Sequence, residues 1–267
     1  HSGIKGIQFD WGLAYNFSNQ KEPDLRFFAN DFSKDSMYYI SPSEYDLPYH
    51  YFRDLKDDVW QAKLDIKVPF GKKSLNNYVK LGYSQNIKNR SFEEDIFQLQ
   101  IKDGVSYAGD DIAFFSYDNT GIIDFNENTG RYTFGNYITD ESILANDYTG
   151  RANVMSTYAM GAINISKKLK MITGARAEYT DYLVESADTS LAKGEIKELD
   201  VLPSFNWIYT IDDKSKWKLR WSYNKTLARP TLREIAPYTA NNFIGGFNVR
   251  GNPDLKRTNI DNLDLRL

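Results

Sequence analysis

Apolar and polar residues alternate along long stretches of this chain. Between positions 7 and 18, the odd positions carry large apolar side chains and the even positions carry small or polar ones. The apolar positions are Ile7, Phe9, Trp11, Leu13, Tyr15 and Phe17. A period of two puts these side chains on one face of a β-strand, whereas a helix would distribute them around its axis. The pattern therefore predicts a long strand with one apolar face.

The same alternation recurs in seven further segments, which predicts an all-β chain. The predicted strands are Ile7–Ser18, Asp58–Phe70, Leu75–Arg90, Val154–Ile165, Leu169–Tyr179, Val201–Ile211, Trp217–Tyr223 and a last strand that begins near Asn259. Val154–Ile165 has a weaker pattern, with its apolar face at Val154, Tyr158, Met160 and Ala162. Strands of about ten residues or more suit a bilayer crossing.

Short and long connections alternate between these strands. The short ones are 71–73, 166–168 and 212–216, and the long ones are roughly 20–56, 92–150, 185–195 and 227–258. Tyrosine and tryptophan lie near strand ends, as in the aromatic girdles of outer-membrane barrels. The predicted fold is an antiparallel up-and-down transmembrane β-barrel segment of about eight strands, with short periplasmic turns and long extracellular loops.

Composition narrows the possible chemistry. The 267 residues include no cysteine, which excludes disulfides, zinc–thiolate sites and a cysteine nucleophile. The formal charge of −3 argues against a nucleic-acid partner. No run of about 20 apolar residues is present to form a membrane-spanning helix, and no phosphate-loop, dinucleotide-binding, zinc-protease or nucleophile-elbow motif occurs. We therefore expect neither an enzyme nor a bound cofactor or metal.

Several motifs resemble one family. Leu227-Ala228-Arg229-Pro230-Thr231-Leu232-Arg233-Glu234 is followed by Gly251-Asn252-Pro253-Asp254-Leu255-Lys256 and then by Asn262-Leu263-Asp264-Leu265. These segments resemble a strand end, an Asn-Pro-x-Leu-Lys element and the next barrel strand of the TonB-dependent receptors of Gram-negative outer membranes. Lys170–Tyr179, with Gly174, Arg176 and Glu178, is similar to another strand of that family.

The resemblance implies a location, a role and partners. It implies an outer-membrane receptor that takes up a scarce ligand, such as a siderophore or a glycan, with outer-membrane lipid around it. It also implies a plug domain and TonB as partners, and it leaves room for a surface lipoprotein over the loops. No plug, TonB box or C-terminal strand ending in an aromatic residue is found in the sequence. Residues 1–267 are therefore expected to form part of a single β-barrel domain.

Two groups of side chains are candidates for ligand contact. Arg176, Glu178, Lys218 and Arg220 are predicted to face the lumen, where they contact a plug or substrate or simply pair with each other as a polar wall. Phe114, Phe115, Tyr117 and Tyr132 lie in a long connection, where they either contact an extracellular ligand or pack together to hold the loop folded.

Two other functions remain open from the sequence. A soluble all-β ligand- or carbohydrate-binding module, or a glycan-processing enzyme, would bury Trp11, Trp60 and Trp221 between two sheets, whereas a barrel would leave them facing outward on a single layer. A non-transporting outer-membrane protein, such as an assembly or secretion component, would share the same barrel pattern.

Overall fold

The computed structural model describes residues 2–4, 6–32, 34, 37–40, 46–71, 76–102, 107–212, 217–240 and 247–267. Strands dominate these ranges. In chain order they are β1 Ser2–Ile4, β2 Ile7–Phe27, β3 Asp31–Phe32, β4 Tyr38–Tyr39, β5 Tyr49–Phe70, β6 Asn77–Gln100, β7 Ile122–Asn126, β8 Arg131–Phe134, β9 Tyr137–Asp140, β10 Tyr148–Asn164, β11 Leu169–Ser186, β12 Gly194–Thr210, β13 Lys218–Ala228, β14 Thr239–Ala240, β15 Val249–Arg250 and β16 Thr258–Arg266. Two four-residue helices, α1 Asp111–Phe114 and α2 Leu232–Ile235, lie in connections, and no described helix has the length and hydropathy to cross a bilayer.

One antiparallel sheet forms the body of the protein. Its strand order is β1-β2-β5-β6-β10-β11-β12-β13-β16, and β9 adds to the end of β6. Each long strand pairs with the next long strand along the chain, which confirms all eight predicted strands and their up-and-down order. Within the described residues the sheet is open, with β1 and β16 at its two edges.

The strands extend further toward the long connections than the alternation predicts. β2 continues to Phe27, β5 begins at Tyr49 and β6 ends at Gln100. The connections are consequently shorter than predicted, at 28–48, 101–147, 187–193 and 229–257. Backbone hydrogen bonds extend the ladder whatever the side chains are, but the apolar alternation ends where lipid no longer covers one face. The predicted strand start at Leu75 and parts of the turns 71–73 and 212–216 lie outside the described residues.

The outer face of the sheet is apolar and exposed. Its large side chains form an apolar belt: Trp11, Leu13, Tyr15, Trp60, Leu64, Val68, Phe70, Val79, Leu81, Tyr83, Tyr179, Leu199, Val201, Phe205, Trp207, Tyr209, Leu219, Trp221, Leu263 and Leu265. The exposed fractions of Trp11, Trp60 and Trp221 are 76%, 48% and 37%, so none of the described strands forms a second sheet over them. The soluble two-sheet alternative is therefore wrong for this fold.

The prediction for the apolar face of β10 is wrong. Pairing of Ser156 with Ser84 and of Tyr158 with Gly82 places the even positions of β10 on the inner face. Val154, Tyr158, Met160 and Ala162 therefore face inward, and Ala162 is almost fully buried. The outward-facing positions between them carry the small residues Thr157, Ala159 and Gly161. The inward-facing residues are larger and more apolar, so the alternation in the sequence indicates the wrong face.

Candidate functional site

The inner face of the sheet is polar, and it carries the four predicted lumen residues. Register places Arg176 and Glu178 of β11, and Lys218 and Arg220 of β13, on the face opposite the apolar belt. Arg176 Nε lies 2.5 Å from Glu178 Oε1. Lys218 and Arg220 are exposed and lie nearer the end with the short turns. The structure thus brings Arg176 and Glu178 together and leaves the β13 pair apart from them.

The connection 229–257 packs on this inner face, and we call its described part, residues 229–240 and 247–257, the inner loop. Arg229 fixes the start of the loop: its guanidinium pairs with Glu178 and its Nε donates to Thr180 Oγ1 at 2.9 Å. Thr180 is fully buried. The sequence alone predicts no role for Arg229, although Arg229 lies in the motif that resembles the receptor family.

Helix α2 gives the inner loop its shape and its apolar contact. Thr231 and Glu234 form a capping box, in which each side chain accepts from the other residue's backbone N–H. The helix buries Leu232 and Ile235 against inner side chains of the wall. The complete cluster is Phe92, Tyr148, Ala152, Val184, Leu232, Ile235, Ala236, Tyr238 and Ala240.

Glycines permit the close approach of this loop. A Cβ at Gly194 of β12 would lie 2.6 Å from the carbonyl oxygen of Ile235. A Cβ at Gly251 would lie 1.9 Å from the carbonyl oxygen of Ala236. Both contacts are shorter than real Cβ atoms allow, so these two positions require glycine for the loop to stay in place.

A buried carboxylate holds the other side of the inner loop. Glu94 is 3% exposed, and Arg53 Nε donates to its Oε2 at 2.5 Å while Asn146 Nδ2 donates to its Oε1 at 2.6 Å. The Tyr238 hydroxyl of the inner loop donates to the same carboxylate at 3.3 Å. Burial, reinforced by the charge of Glu94, raises the pKa of Tyr238 and raises the pKa of Tyr51 to about 12. Both hydroxyls are therefore neutral at physiological pH, and that of Tyr238 donates to Glu94.

A second charged cluster lies lower on the inner wall. Asp65 is 2% exposed and contacts Lys63 at 2.9 Å and Lys80 at 3.0 Å, and it accepts from the Tyr158 hydroxyl at 2.6 Å. Gly82 lies beneath the Tyr158 ring, where a Cβ would be 2.1 Å from Cε1. At the Glu94 and Asp65 clusters the wall therefore presents paired charges.

An open cavity of about 610 Å³ lies against the inner wall between these clusters. Its inner lining includes Gln61, Lys63, Ser84, Asn86, Arg176, Glu178 and Arg229. Amide, hydroxyl and charged groups of this kind bind polar ligands or a polypeptide segment by hydrogen bonds. Across the described residues, no group of three or more His, Asp or Glu side chains is placed to hold a metal ion.

The predicted extracellular contacts divide into packed and exposed residues. Phe114 is 2% exposed and forms a loop cluster with Leu99, while Phe115 packs edge-on against Phe114 at 5.2 Å. Tyr117 is 90% exposed, and Tyr132 is 55% exposed on the β7–β8 hairpin. In this conformation Phe114 holds the loop together and is closed to a ligand, whereas Tyr117 and Tyr132 are accessible.

The match to a family model agrees with the fold. A solved structure of P. aeruginosa FpvA, bound to a heterologous pyoverdine and iron, is similar at 15% identity and a TM-score of 0.48, over 86% of this chain and 26% of that one. The chain thus spans about a quarter of that protein's length. No curated protein matches the chain. The model of the outer membrane protein beta-barrel family matches residues 111–267, more than half of the chain. The protein is therefore an antiparallel outer-membrane barrel protein of Gram-negative bacteria, and it belongs to the outer membrane protein beta-barrel family.

Proposed function

We propose that this chain is the barrel portion of a TonB-dependent outer-membrane receptor that takes up a scarce ligand. The observation that carries the proposal is the inner loop, which Arg229 and Tyr238 attach to buried acids of the inner wall. The loop begins with the Arg-Pro-Thr-Leu-Arg-Glu motif that resembles the receptor family. A barrel with an inward-packed loop has a constricted lumen, which suits gated uptake better than free diffusion.

The inner cavity supports the same role. Its charged and amide side chains lie on the inner face of the wall, where a plug or a passing ligand would make contact in a barrel. Arg176 and Glu178 are proposed to contact the plug or ligand there, and Tyr117 and Tyr132 to contact the ligand from outside. The proposed partners are a plug domain and TonB, and the proposed step is binding and translocation, with no covalent chemistry and no bound cofactor.

Energy-dependent uptake is the decisive test. Cells that carry or lack the full-length protein are given a panel of labelled ferric siderophores, cobalamin and oligosaccharides, with and without a protonophore. We expect at least one compound to accumulate only when the protein is present and the inner membrane is energised. Accumulation that ignores the protonophore would identify a passive pore, and no accumulation of any compound would favour the non-transporting alternative.

Variants of the inner loop link this test to the structure. Arg229→Gln removes the guanidinium that pairs with Glu178, and Arg131→Gln is the matched control because Arg131 is exposed on the β7–β8 hairpin, away from the inner wall. A gated receptor predicts that Arg229→Gln changes uptake or admits large antibiotics, while Arg131→Gln does neither. If the two variants behaved identically, the attachment of the inner loop at Arg229 would have no role in transport.

A further inference from the structure

A second cavity is formed by the inner loop itself. It has a volume of about 330 Å³, and its lining includes Arg233, Tyr238, Val249, Arg250, Asn252 and Leu255. We call it the loop cavity. All of its lining residues come from the inner loop, and its volume is that of a site for a small organic molecule.

Strand register places the loop cavity beyond the apolar belt, toward the long connections. The apolar alternation of β2 ends at Phe17, which is level with Asp58 and Asn89 on the next two strands. Phe92 follows Asn89 by three residues, about 10 Å further along β6. The ring of Phe92 packs against that of Tyr238, with centroids 5.0 Å apart. The cavity therefore lies at the extracellular end of the inner wall, where a solute from outside enters a barrel.

Arg233 is held in place without using its hydrogen-bond donors. Its guanidinium carbon lies 5.5 Å from the ring centroid of Tyr238, a cation–π contact that engages the face of the guanidinium and leaves its N–H groups free. The Tyr238 hydroxyl is already bound to Glu94, so the ring is fixed from the other side. Arg233 is exposed and forms no ion pair with any residue that the structure describes.

Arg250 adds a second guanidinium to the same cavity. It is exposed, and among the described residues its side chain has neither an ion pair nor a hydrogen bond. The cavity has one carboxylate, that of Glu234, which accepts from the Thr231 backbone N–H at 2.6 Å and contacts neither arginine. Residues 241–246 contain no acidic side chain. Two guanidiniums therefore share this cavity with a single, already engaged carboxylate.

Asn252 and the aliphatic residues complete the chemistry of the cavity. The Asn252 Oδ1 accepts from the Asp254 backbone N–H at 3.0 Å, which leaves its amide N–H groups as donors. Val249 and Leu255 are both partly exposed and supply apolar surface. The cavity thus offers donors of positive charge, a neutral donor and an apolar side.

We propose that the loop cavity binds a small organic anion. Its carboxylate or phosphate group would lie between Arg233 and Arg250, because a guanidinium presents a planar fork of donors that fits two oxygens of such a group. Its apolar part would lie on Val249 and Leu255. This inference names a substrate class for the proposed receptor, and it rests on the proposed uptake role for the fate of the bound anion.

The test measures the binding of matched charged and neutral probes. Full-length protein in phosphatidylcholine nanodiscs is titrated with phenyl phosphate, benzene-1,3-dicarboxylate and the neutral benzene-1,3-dicarboxamide, and saturation-transfer NMR gives each Kd. The variants are Arg250→Gln, Arg233→Gln and Arg233→Lys. Lys256→Gln is the control, because Lys256 is an exposed cation of the same loop that lies outside the cavity.

The expected pattern is specific to the two arginines. Wild type should bind both anions more tightly than the diamide, and Arg250→Gln or Arg233→Gln should raise the Kd of the anions about tenfold. Arg233→Lys should restore part of the affinity, and Lys256→Gln should leave it unchanged. Equal affinity for the dicarboxylate and the diamide would overturn the proposal, as would an equal loss in Lys256→Gln and Arg250→Gln.

Two features of the design keep the result interpretable. Hydrogen exchange at the Gly251 amide, which donates to the Tyr238 carbonyl oxygen at 3.1 Å, reports whether the loop keeps its structure in each variant. If Arg233→Gln loosens the loop, Arg250→Gln remains decisive. Binding needs neither TonB nor an energised membrane, so anion binding without uptake of any compound would support the cavity assignment and refute the transport role. Energised uptake without any preference for anions in binding would do the reverse.

Discussion

The contact between Arg229 and Glu178 sets how firmly the inner loop is held. The Arg229 and Glu178 side chains are 18% and 10% exposed, so little water is available to replace either partner. Truncating one partner of a buried charged pair typically costs 3–5 kcal/mol, but Glu178 keeps Arg176 as a second partner. We therefore expect Arg229→Gln to destabilise loop docking by about 2 kcal/mol, which is about a thirtyfold rise in the opening constant.

Hydrogen exchange of the loop amides measures this opening directly. The amides of Ala236, Gly251 and Asn252 donate to carbonyls of Leu232, Tyr238 and Glu234 within the inner loop. Their exchange in the folded barrel therefore reports local opening. The faster exchange in Arg229→Gln should appear at these three amides and not in the β12 ladder.

A double-mutant cycle tests the assignment to this pair. Glu178→Gln combined with Arg229→Gln should show a coupling energy of about 1–2 kcal/mol. Arg176→Gln is the control, because the Arg176 side chain is 43% exposed and should cost less than about 1 kcal/mol. Additive effects of the two substitutions, or unchanged exchange at Ala236, would refute the reasoning.

Three further perturbations follow from packing and ionisation. Leu232→Ala should weaken docking of α2 by about 2–4 kcal/mol, seen as protease cleavage within the inner loop, because it empties a site that is 4% exposed. Gly82→Ala should displace the Tyr158 ring and break its hydrogen bond to a buried carboxylate, lowering the free energy of unfolding in micelles by about 2–3 kcal/mol. Burial and a hydrogen bond to Asp111 raise the pKa of Tyr107 from 10.0 to about 12. The stability that the Tyr107 hydroxyl contributes to the loop is therefore complete below pH 10 and is lost as the pH rises through about 12. The tyrosinate absorbance of wild type, compared with that of Tyr107→Phe, measures this ionisation.

Each of these has a matched comparison. Leu144→Ala removes an exposed leucine and should leave loop cleavage unchanged. Tyr158→Phe removes only the hydroxyl and should cost less than Gly82→Ala, since the ring keeps its place. An unchanged unfolding free energy in Gly82→Ala, or a Tyr107 that ionises with an ordinary tyrosine pKa, would contradict the packing described for these residues.

The strands and their order were predictable because lipid imposes one rule on every crossing. Most outer positions within the bilayer must be apolar, and on β2, β5 and β12 they are large enough for alternation alone to locate the strand. The rule fails at β10, where small outer residues beside large inner ones invert the apparent pattern at Tyr158. The rule makes no prediction for the parts of the strands beyond the apolar belt, where β6 continues to Gln100 without a consistent apolar face.

The candidate site was less predictable, because its geometry depends on contacts between distant segments. Register alone placed Arg176 and Glu178 on the inner face, as alternation predicts. The pairing of Arg229 with Glu178 joins residues 51 positions apart, and that of Tyr238 with Glu94 joins residues 144 apart. No periodicity in the sequence encodes such contacts, and the motif around Arg229 indicates a family without indicating which residues Arg229 or Tyr238 contacts.

The attachment of the inner loop has a mechanical consequence. The loop leaves the sheet at β13 and returns at β16, yet Leu232 and Tyr238 pack on side chains of β6, β10 and β11. The loop therefore links one end of the sheet to strands that lie two or more positions away in the sheet order. A force that moved the β13–β16 end of the sheet away from β6, β10 and β11 would therefore act on the contacts of α2 as well as on the strand ladders between them.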